Sequence, residues 1–299
     1  MLDKNFPTID PKKPYALTKE EEDIMERLER AFENCEKLQR HMHFLLNKGG
    51  LYKVYNGNLL YHGCVPLKED GNLKSVRIFG RAYKGKGLYE VLESYVRKGF
   101  YAMDPKEKER GKDIMWYIWL SENSPLFGKD KMATFERYFL AEKETHKEKK
   151  NPYYLLLEDE KVVEKILKEF GLENEDAHII NGHVPVKCKD GENPVKCGGK
   201  VLVIDGGFSK AYQKETGIAG YTLIYNSYGL ILAAHKPFES TEAAIEKESD
   251  IHSDSTVVKR TLERKKVEDT DVGKELKEQI SDLEVLLAAY RSGVIAERM

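Results

Sequence analysis

The sequence predicts a mixed fold of helices and β-sheet, α/β or α+β, with at least two packed layers. Three observations indicate it. Asn56-Gly57 lies between two β-rich runs, which is a strong hairpin signal. Two apolar runs at 178–180 and 200–207 are typical of buried strands. Apolar residues recur at three- and four-residue steps between residues 18 and 48, which is the period of an amphipathic helix.

The remaining elements follow in order. A capping box at Thr18–Glu21 begins one long helix, and Gly49-Gly50 ends it. Four more helices are predicted, at 88–98, 111–120 (aromatic-rich and predicted to be buried), 134–150 and 158–170. A second hairpin at 220–235 precedes a charged stretch at 241–273 and a terminal amphipathic helix. The predicted divisions are 1–50 (lead-in and long helix), 51–240 (the main domain) and 241–299 (charged segment and terminal helix).

The composition excludes some classes of partner. Of 299 residues, 40% are hydrophobic and 33% charged, and the net charge is −2. This balance gives no reason to expect nucleic acid or an anionic membrane as partner, so an anionic substrate needs a local cluster of cations. There is no apolar run long enough to span a bilayer, no signal-peptide pattern at the N-terminus and no CxxC pair among the four cysteines. We therefore expect a soluble, cytoplasmic protein with reduced cysteines.

Two histidines share one construction. His62 and His183 each follow a short apolar strand and lie directly beside a glycine. Loops at strand ends, held by a rigid sheet, build many metal sites, and neutral imidazole is a common ligand. The alternative for each is a hydrogen-bonded turn histidine. Under the metal hypothesis, Gly182 provides the sharp backbone turn that directs His183 toward an ion.

Longer segments carry a resemblance. The segments "YNGNLLYHGCVP", "FGKDKMATFERYFLAEKETHKEKKNPYY", "HIINGHVPVK" and "VIDGGFSKAYQKETGIAGYTLIYNSYG" resemble the class III fructose-1,6-bisphosphatases of bacteria. Those enzymes belong to the calcineurin-like metallophosphatase superfamily, whose two-metal centre is built from five sequence signatures. His62 in "YHGC" matches the histidine of the fourth signature, and His183 in "NGHVP" matches that of the fifth.

The resemblance implies a fold, an activity and a metal. The fold is the C-terminal half of a calcineurin-like β-sandwich with flanking helices, and 51–240 is a partial metallophosphatase domain. The implied activity is hydrolysis of a sugar bisphosphate, fructose 1,6-bisphosphate, to fructose 6-phosphate and phosphate in gluconeogenesis. Manganese is the implied cofactor, with His62 and His183 as its ligands from this part of the enzyme.

The sequence also departs from the family pattern. The second and third signatures, Gly-Asp-x-x-Asp-Arg-Gly and Gly-Asn-His-Asp/Glu, are absent. The first, Asp-x-His, occurs at Asp176–His178 and Asp250–His252, and we interpret both as chance matches. The chain thus resembles the C-terminal part of the enzyme, and its catalytic residues stay unassigned. We expect a weak metal binder and a poor catalyst that pairs with the missing N-terminal half or forms a homo-oligomer.

Two clusters are candidates for binding substrate phosphates. Lys143, Lys147 and Lys150 fall on one face of the predicted 134–150 helix, which also carries Arg137. Ser209 and Lys210 follow the strand at 200–207 through a Gly-rich turn that is no Walker A loop. The alternatives are a solvated lysine face and a plain tight turn. Two roles stay open for Asp205: holding a metal-ligating side chain in place, or a purely structural one.

Two rival functions remain open from the sequence: a metallophosphatase of another phosphoester, and a non-catalytic module that binds the missing half. Two geometric predictions follow from the metal hypothesis. His62 and His183 should converge at one end of one sheet, and Lys210 should lie nearer to them than the lysines of 143–150 do.

Overall fold

The computed structural model describes residues 1–206, 209–238, 240–248, 253–261 and 263–296. The chain forms two compact units that interleave along the sequence. The first consists of Met1–Tyr52 and Cys64–Tyr154, and the second of Lys53–Gly63 and Leu155–Met299. Across the described ranges, no helix combines the length and the apolar character needed to cross a membrane. The three-part division at 50 and 240 stays a prediction.

The elements of the described residues are as follows. The helices are α1 (Lys19–Glu33), α2 (Glu36–Lys48), α3 (Gly85–Tyr101), α4 (Pro105–Leu120), α5 (Thr134–Phe139), α6 (Glu160–Glu169), α7 (Lys210–Thr216), α8 (Thr241–Glu246) and α9 (Asp271–Arg291). The strands are β1 (Tyr52–Tyr55), β2 (Asn58–Tyr61), β3 (Val76–Ile78), β4 (Arg81–Tyr83), β5 (His178–Asn181), β6 (Val195–Lys196), β7 (Val201–Val203), β8 (Gly220–Asn226), β9 (Gly229–His235) and β10 (Ser253–Arg260). Short 3₁₀ helices span Lys143–His146, Pro152–Leu155, Cys188–Asp190, Cys197–Gly199 and Val267–Asp269. This mixture confirms the predicted α/β, or α+β, class.

The predicted long helix of residues 18–48 is two helices, so that prediction is wrong at its centre. The capping box is present, because Thr18 Oγ1 accepts from the Glu21 N–H at 3.3 Å and the Glu21 carboxylate accepts from the Thr18 N–H at 2.8 Å. α1 ends where the Asn34 side-chain amide donates to the Arg30 carbonyl at 2.8 Å and Cys35 adopts an extended backbone. Asparagine side chains compete in this way with the helical hydrogen-bond ladder.

The first unit is built around α3 and α4, which pack against each other. Buried residues of both helices and of the β3–β4 hairpin form one core: Val76, Ile78, Leu88, Leu92, Ile114 and Ile118. Gly99 and Gly111 allow the two helix backbones to come into contact. The aromatic residues of α4 are only partly buried, since Trp116 is 61% exposed and Trp119 is 58% exposed. The prediction of a buried aromatic helix is therefore wrong for the two tryptophans.

The predicted helix at 134–150 ends after α5, so this prediction is wrong beyond residue 139. Leu140 has an extended backbone, with φ −113° and ψ 138°. Glu148 turns back toward α5, where its carboxylate accepts from the Ala133 N–H at 3.0 Å and from Lys129 Nζ at 2.7 Å. These tertiary contacts outweigh the local helical pattern. The three lysines of this segment, Lys143, Lys147 and Lys150, consequently share no helix face.

The second unit contains a five-stranded sheet and a three-stranded sheet that pack face to face. The larger sheet has the order β1-β2-β5-β7-β6, and β2, β5 and β7 run parallel to one another. The smaller sheet is antiparallel, with the order β10-β9-β8. Ile180, Leu202 and Leu230 pack together between the sheets. Two sheets that share one apolar core form a sandwich, as the resemblance implies.

Local signals set the strands of this unit. Asn56 and Gly57 both have positive φ, 49° and 76°, which is the backbone of the tight hairpin turn that Asn-Gly favours. The second predicted hairpin is β8 and β9. β10 lies in the charged stretch, where the sequence predicts no strand, since only Val257 and Val258 interrupt its polar sequence.

His178 begins β5, and a pH-dependent loss of stability is expected from it. Burial lowers the pKa of His178 to about 4, and the nearby Lys259 ammonium acts in the same direction. Its Nδ1 has no hydrogen-bond partner among the described residues. Because the unfolded chain protonates this imidazole near pH 6.5, the free energy of unfolding should fall as the pH drops from about 6.5 to about 4. The loss is on the order of 3 kcal/mol.

Urea unfolding of the wild type and of His178→Leu at several pH values measures this effect. The difference between the two free energies should change across that interval and stay constant above pH 7. A difference that does not vary with pH would show that His178 has the same pKa in the folded and unfolded chain.

Candidate functional site

The two predicted histidines converge. β2 and β5 are parallel neighbours, with Leu60 opposite Ile180. The segments that follow the two strands therefore leave the sheet at the same edge. His62 Nε2 lies 2.9 Å from His183 Nδ1, and the ring centroids are 4.8 Å apart. The prediction that the imidazoles meet at one end of one sheet is confirmed. Their role as metal ligands stays a prediction.

Hydrogen bonds between the two loops fix this approach. The Gly182 N–H donates to the His62 carbonyl at 2.9 Å, and Asn181 Nδ2 donates to the Gly63 carbonyl at 3.0 Å. Asn181 is only 2% exposed, and its Oδ1 has no partner among the described residues. Sequence reasoning missed this residue, although a polar amide in an otherwise apolar strand was the available signal.

The backbone of His183 is strained, because its φ is +67°. The Val184 N–H donates to the Gly182 carbonyl at 2.8 Å, which makes residues 182–184 a γ-turn with a positive φ at its centre. This is the rarer and more strained of the two γ-turn forms, and strained residues cluster at functional sites.

The prediction that Gly182 provides the sharp turn is wrong. Gly182 is absent from the positive-φ residues, and a Cβ placed on it would meet only the Asp205 Cβ at 3.6 Å and the His62 carbonyl oxygen at 3.8 Å. Both are ordinary van der Waals distances. The glycine is therefore not required by its conformation, and the histidine itself adopts the unusual backbone.

Replacing His183 by glycine should therefore stabilise the fold. Glycine adopts positive φ without the steric cost that a Cβ imposes, so the free energy of unfolding should rise by about 0.5–1 kcal/mol. Chemical denaturation measures the change, and Gly182→Ala is the matched control, expected within about 0.5 kcal/mol of the wild type. A loss of more than about 1 kcal/mol in His183→Gly would mean that the imidazole holds the fold together.

Asp205 follows the third parallel strand and lies at the same edge. β7 pairs with β5, the Ile204 N–H donates to the Asn181 carbonyl at 2.8 Å, and the Val186 N–H donates to the Asp205 carbonyl at 2.8 Å. Desolvation lowers the pKa of His62, while the Asp205 carboxylate acts in the opposite direction. The lowered pKa keeps the His62 imidazole neutral at neutral pH, the state in which its nitrogen is able to bind a metal.

The histidine pair fits a metal ion by geometry and by donor type. Two nitrogens bound side by side to one ion at about 2 Å lie about 3 Å apart, close to the observed 2.9 Å. Within the described ranges, however, no group of three or more His, Cys, Asp or Glu side chains is arranged to hold a metal. The described residues thus offer two candidate ligands, fewer than the four to six that a divalent ion normally requires.

The Asp-x-His match at Asp176–His178 does not add ligands to this edge. Asp176 and His178 lie at the amino end of β5, whereas His183 follows its carboxyl end. Asp176 instead forms an ion pair with Lys259. Asp250–His252 lies outside the described residues.

The main candidates for substrate binding lie in both units: Ser209, Lys210, Arg137 and Lys147. Ser209 and Lys210 begin α7 after β7, and both are exposed. In the first unit, Arg137 Nη2 lies 3.3 Å from Glu148 Oε1, and Lys147 Nζ lies 2.7 Å from Glu144 Oε2. Contact with substrate stays a prediction for all four, as does the expected proximity of Lys210 to the histidines.

Comparison with known proteins identifies relatives along the whole chain. The family model described as "Firmicute fructose-1,6-bisphosphatase" matches residues 1–292. The class 3 fructose-1,6-bisphosphatase of Alkaliphilus metalliredigens is 57% identical over 301 residues, which cover 100% of this chain and 45% of the relative. Those of Clostridium botulinum strain Hall and Clostridium novyi are each 56% identical and are likewise covered for 45% of their length. The chain thus spans less than half of these relatives. No solved structure matches it.

Proposed function

Because the chain belongs to the Firmicute fructose-1,6-bisphosphatase family, we propose that it carries the histidine-bearing part of a site that hydrolyses fructose 1,6-bisphosphate to fructose 6-phosphate and phosphate. One observation supports this most: His62 Nε2 and His183 Nδ1 lie 2.9 Å apart at the ends of adjacent parallel strands. The carboxyl ends of parallel strands are where such sheets hold ligands. The remaining ligands would come from the part of the relatives' sequence that this chain does not span.

The proposed metal is manganese, held by His62 through Nε2 and by His183 through Nδ1. When bound, a two-metal centre polarises the phosphoryl group of the substrate. To bind, each ring must offer a lone pair at the facing nitrogen and carry its proton on the other one, Nδ1 of His62 and Nε2 of His183. The hydrogen bonds from Gly182 and Asn181 to the His62 loop hold the two loops, and with them the two rings, close together for this role.

The substrate phosphates need cations, since a sugar bisphosphate carries up to about four negative charges. Lys210 and Ser209 are proposed to contact a phosphate, because they come shortly after Asp205, which follows the carboxyl end of β7. Arg137 and Lys147 are weaker proposals, since each already has an acidic neighbour within 3.3 Å.

The experiment combines the 299-residue chain with the N-terminal part of the Alkaliphilus relative and measures manganese-dependent phosphate release. Fructose 1,6-bisphosphate should be hydrolysed by the mixture and by neither part alone. A panel of other phosphoesters tests the rival substrate class, and preference for another ester would replace the proposed substrate. A stable complex that lacks activity on every ester would show a non-catalytic binding module instead.

A further inference from the structure

The first unit contains a cavity that the proposed function does not use, and we propose that it binds a phosphate monoester. The cavity has a volume of about 290 Å³. Its lining contains three carboxylates and five lysines, which are Lys68, Lys74, Lys129, Lys149 and Lys150. We call it the lysine cavity. It shares no residue with the histidine pair, so this proposal stands whether or not the proposed function is correct.

The lysine cavity has cations in excess. Three of its lysines have acidic partners: Lys129 Nζ lies 2.7 Å from Glu148, Lys149 Nζ 3.2 Å from Glu69 and Lys74 Nζ 3.6 Å from Glu122. Lys68 and Lys150 have no ion-pair partner in the part of the chain that the structure describes, and both are exposed. Two ammonium groups without partners in the lining of one cavity attract an anion.

A mostly buried asparagine on the cavity wall is the second, independent observation. Asn151 is 8% exposed and lines the lysine cavity. Its Oδ1 accepts from the Leu67 N–H at 3.1 Å and from the Tyr153 N–H at 3.0 Å. Its Nδ2 donates to no acceptor among the described residues. Because both bonds to Oδ1 fix the amide orientation, Nδ2 is held as a donor for a ligand oxygen.

The chain around Asn151 makes this donor rigid. The Asn151 N–H donates to the Gly128 carbonyl at 2.9 Å, and Lys129 and Lys150 face each other in an antiparallel bridge. The Asp130 carboxylate, which also lines the cavity, accepts from the Lys149 N–H at 2.8 Å. That carboxylate is therefore directed at the backbone, which reduces its repulsion of an incoming anion.

These donors favour phosphate over a carboxylate. A phosphate monoester offers three acceptor oxygens and close to two negative charges, which match Lys68, Lys150 and Asn151 Nδ2. The volume suits a small ester, and the net charge of −2 gives no wider field for nucleic acid.

Calorimetric titration of the 299-residue chain with inorganic phosphate tests the proposal. Lys68→Ala/Lys150→Ala should raise the Kd by at least about tenfold, since both free ammonium groups are lost. Asn151→Asp keeps an oxygen for the two backbone N–H groups but replaces the donor by a carboxylate, so saturable binding should disappear. Lys112→Ala, which removes an exposed lysine of α4 outside the cavity, should leave the Kd unchanged.

The double lysine variant changes only exposed side chains, so it should leave the buried core unaltered. Thermal melts check that Asn151→Asp is folded. Unchanged affinity in both variants, an equal loss in Lys112→Ala, or the absence of saturable phosphate binding to the wild type would overturn the proposal.

Competition then identifies the source of the phosphate group. Displacement by fructose 6-phosphate but not by glycerol 3-phosphate indicates the substrate or product, and displacement by both indicates a general phosphorylated effector. If neither ester displaces phosphate, the assignment to phosphate monoesters is wrong.

Discussion

Replacing His183 by alanine should reduce manganese-dependent phosphate release by about 10³-fold or more when this chain is combined with the N-terminal part of the Alkaliphilus relative. A metal ligand positions the ion that stabilises the phosphoryl group, and losses of this size are typical when one stabilising group is removed. His62→Ala should have a similar effect. The double variant should be little worse than either single one, because two ligands of one ion act as a unit.

His41→Ala is the matched control, since it removes an exposed histidine of α2 and should leave turnover unchanged. Initial rates at saturating manganese and at several metal concentrations separate lost affinity from a lost chemical step. Activity within tenfold of the wild type in His183→Ala, at every metal concentration, would exclude the histidine pair as a metal site.

Gly111→Ala should be the most destabilising single substitution considered for the first unit. A Cβ at this position would lie 2.2 Å from both the Cα and the N of Gly99 and 2.6 Å from the Tyr95 carbonyl oxygen. All three are backbone atoms, so no side-chain rotation relieves the clash and α3 must move away from α4. Separating the helices opens the core that they share, and we expect a loss of about 3 kcal/mol or more in the free energy of unfolding.

Gly87→Ala is the control within the same helix pair. Nothing lies within 4 Å of a Cβ at Gly87, so this substitution should be neutral or raise stability by up to about 1 kcal/mol. Chemical denaturation followed by circular dichroism compares the two. If Gly111→Ala unfolds at the same denaturant concentration as Gly87→Ala, the close approach of α3 and α4 is not a feature of the folded protein.

Strong local signals made much of the second unit predictable from sequence. Asn56-Gly57 has one favoured turn backbone, so the β1–β2 hairpin follows from two residues. The apolar runs at β5 and β7 have few alternatives to a buried parallel strand. Because the carboxyl ends of such strands meet at one edge, the convergence of His62 and His183 was also predictable.

Contacts between distant residues explain the failures. The 134–150 segment has a helical pattern, but the hydrogen bonds of the Glu148 carboxylate with Lys129 and Ala133 stabilise the segment more than another helical turn would. The pairing of β10 depends on β9 rather than on its own polar sequence. At the site, the sequence predicts the sharp turn at Gly182, because glycine is the usual residue for such a turn, whereas His183 adopts the positive φ. A functional requirement for the imidazole would explain why a histidine adopts that backbone instead.

Phosphate release from fructose 1,6-bisphosphate by the isolated 299-residue chain with manganese tests directly whether this chain holds only part of a metal centre. Two imidazole ligands do not complete a two-metal centre, so the rate should lie near background and should not change in His183→Ala. Robust turnover by the isolated chain that His183→Ala abolishes would show that the two histidines are not an incomplete site. This part of the enzyme would then assemble a working centre by itself.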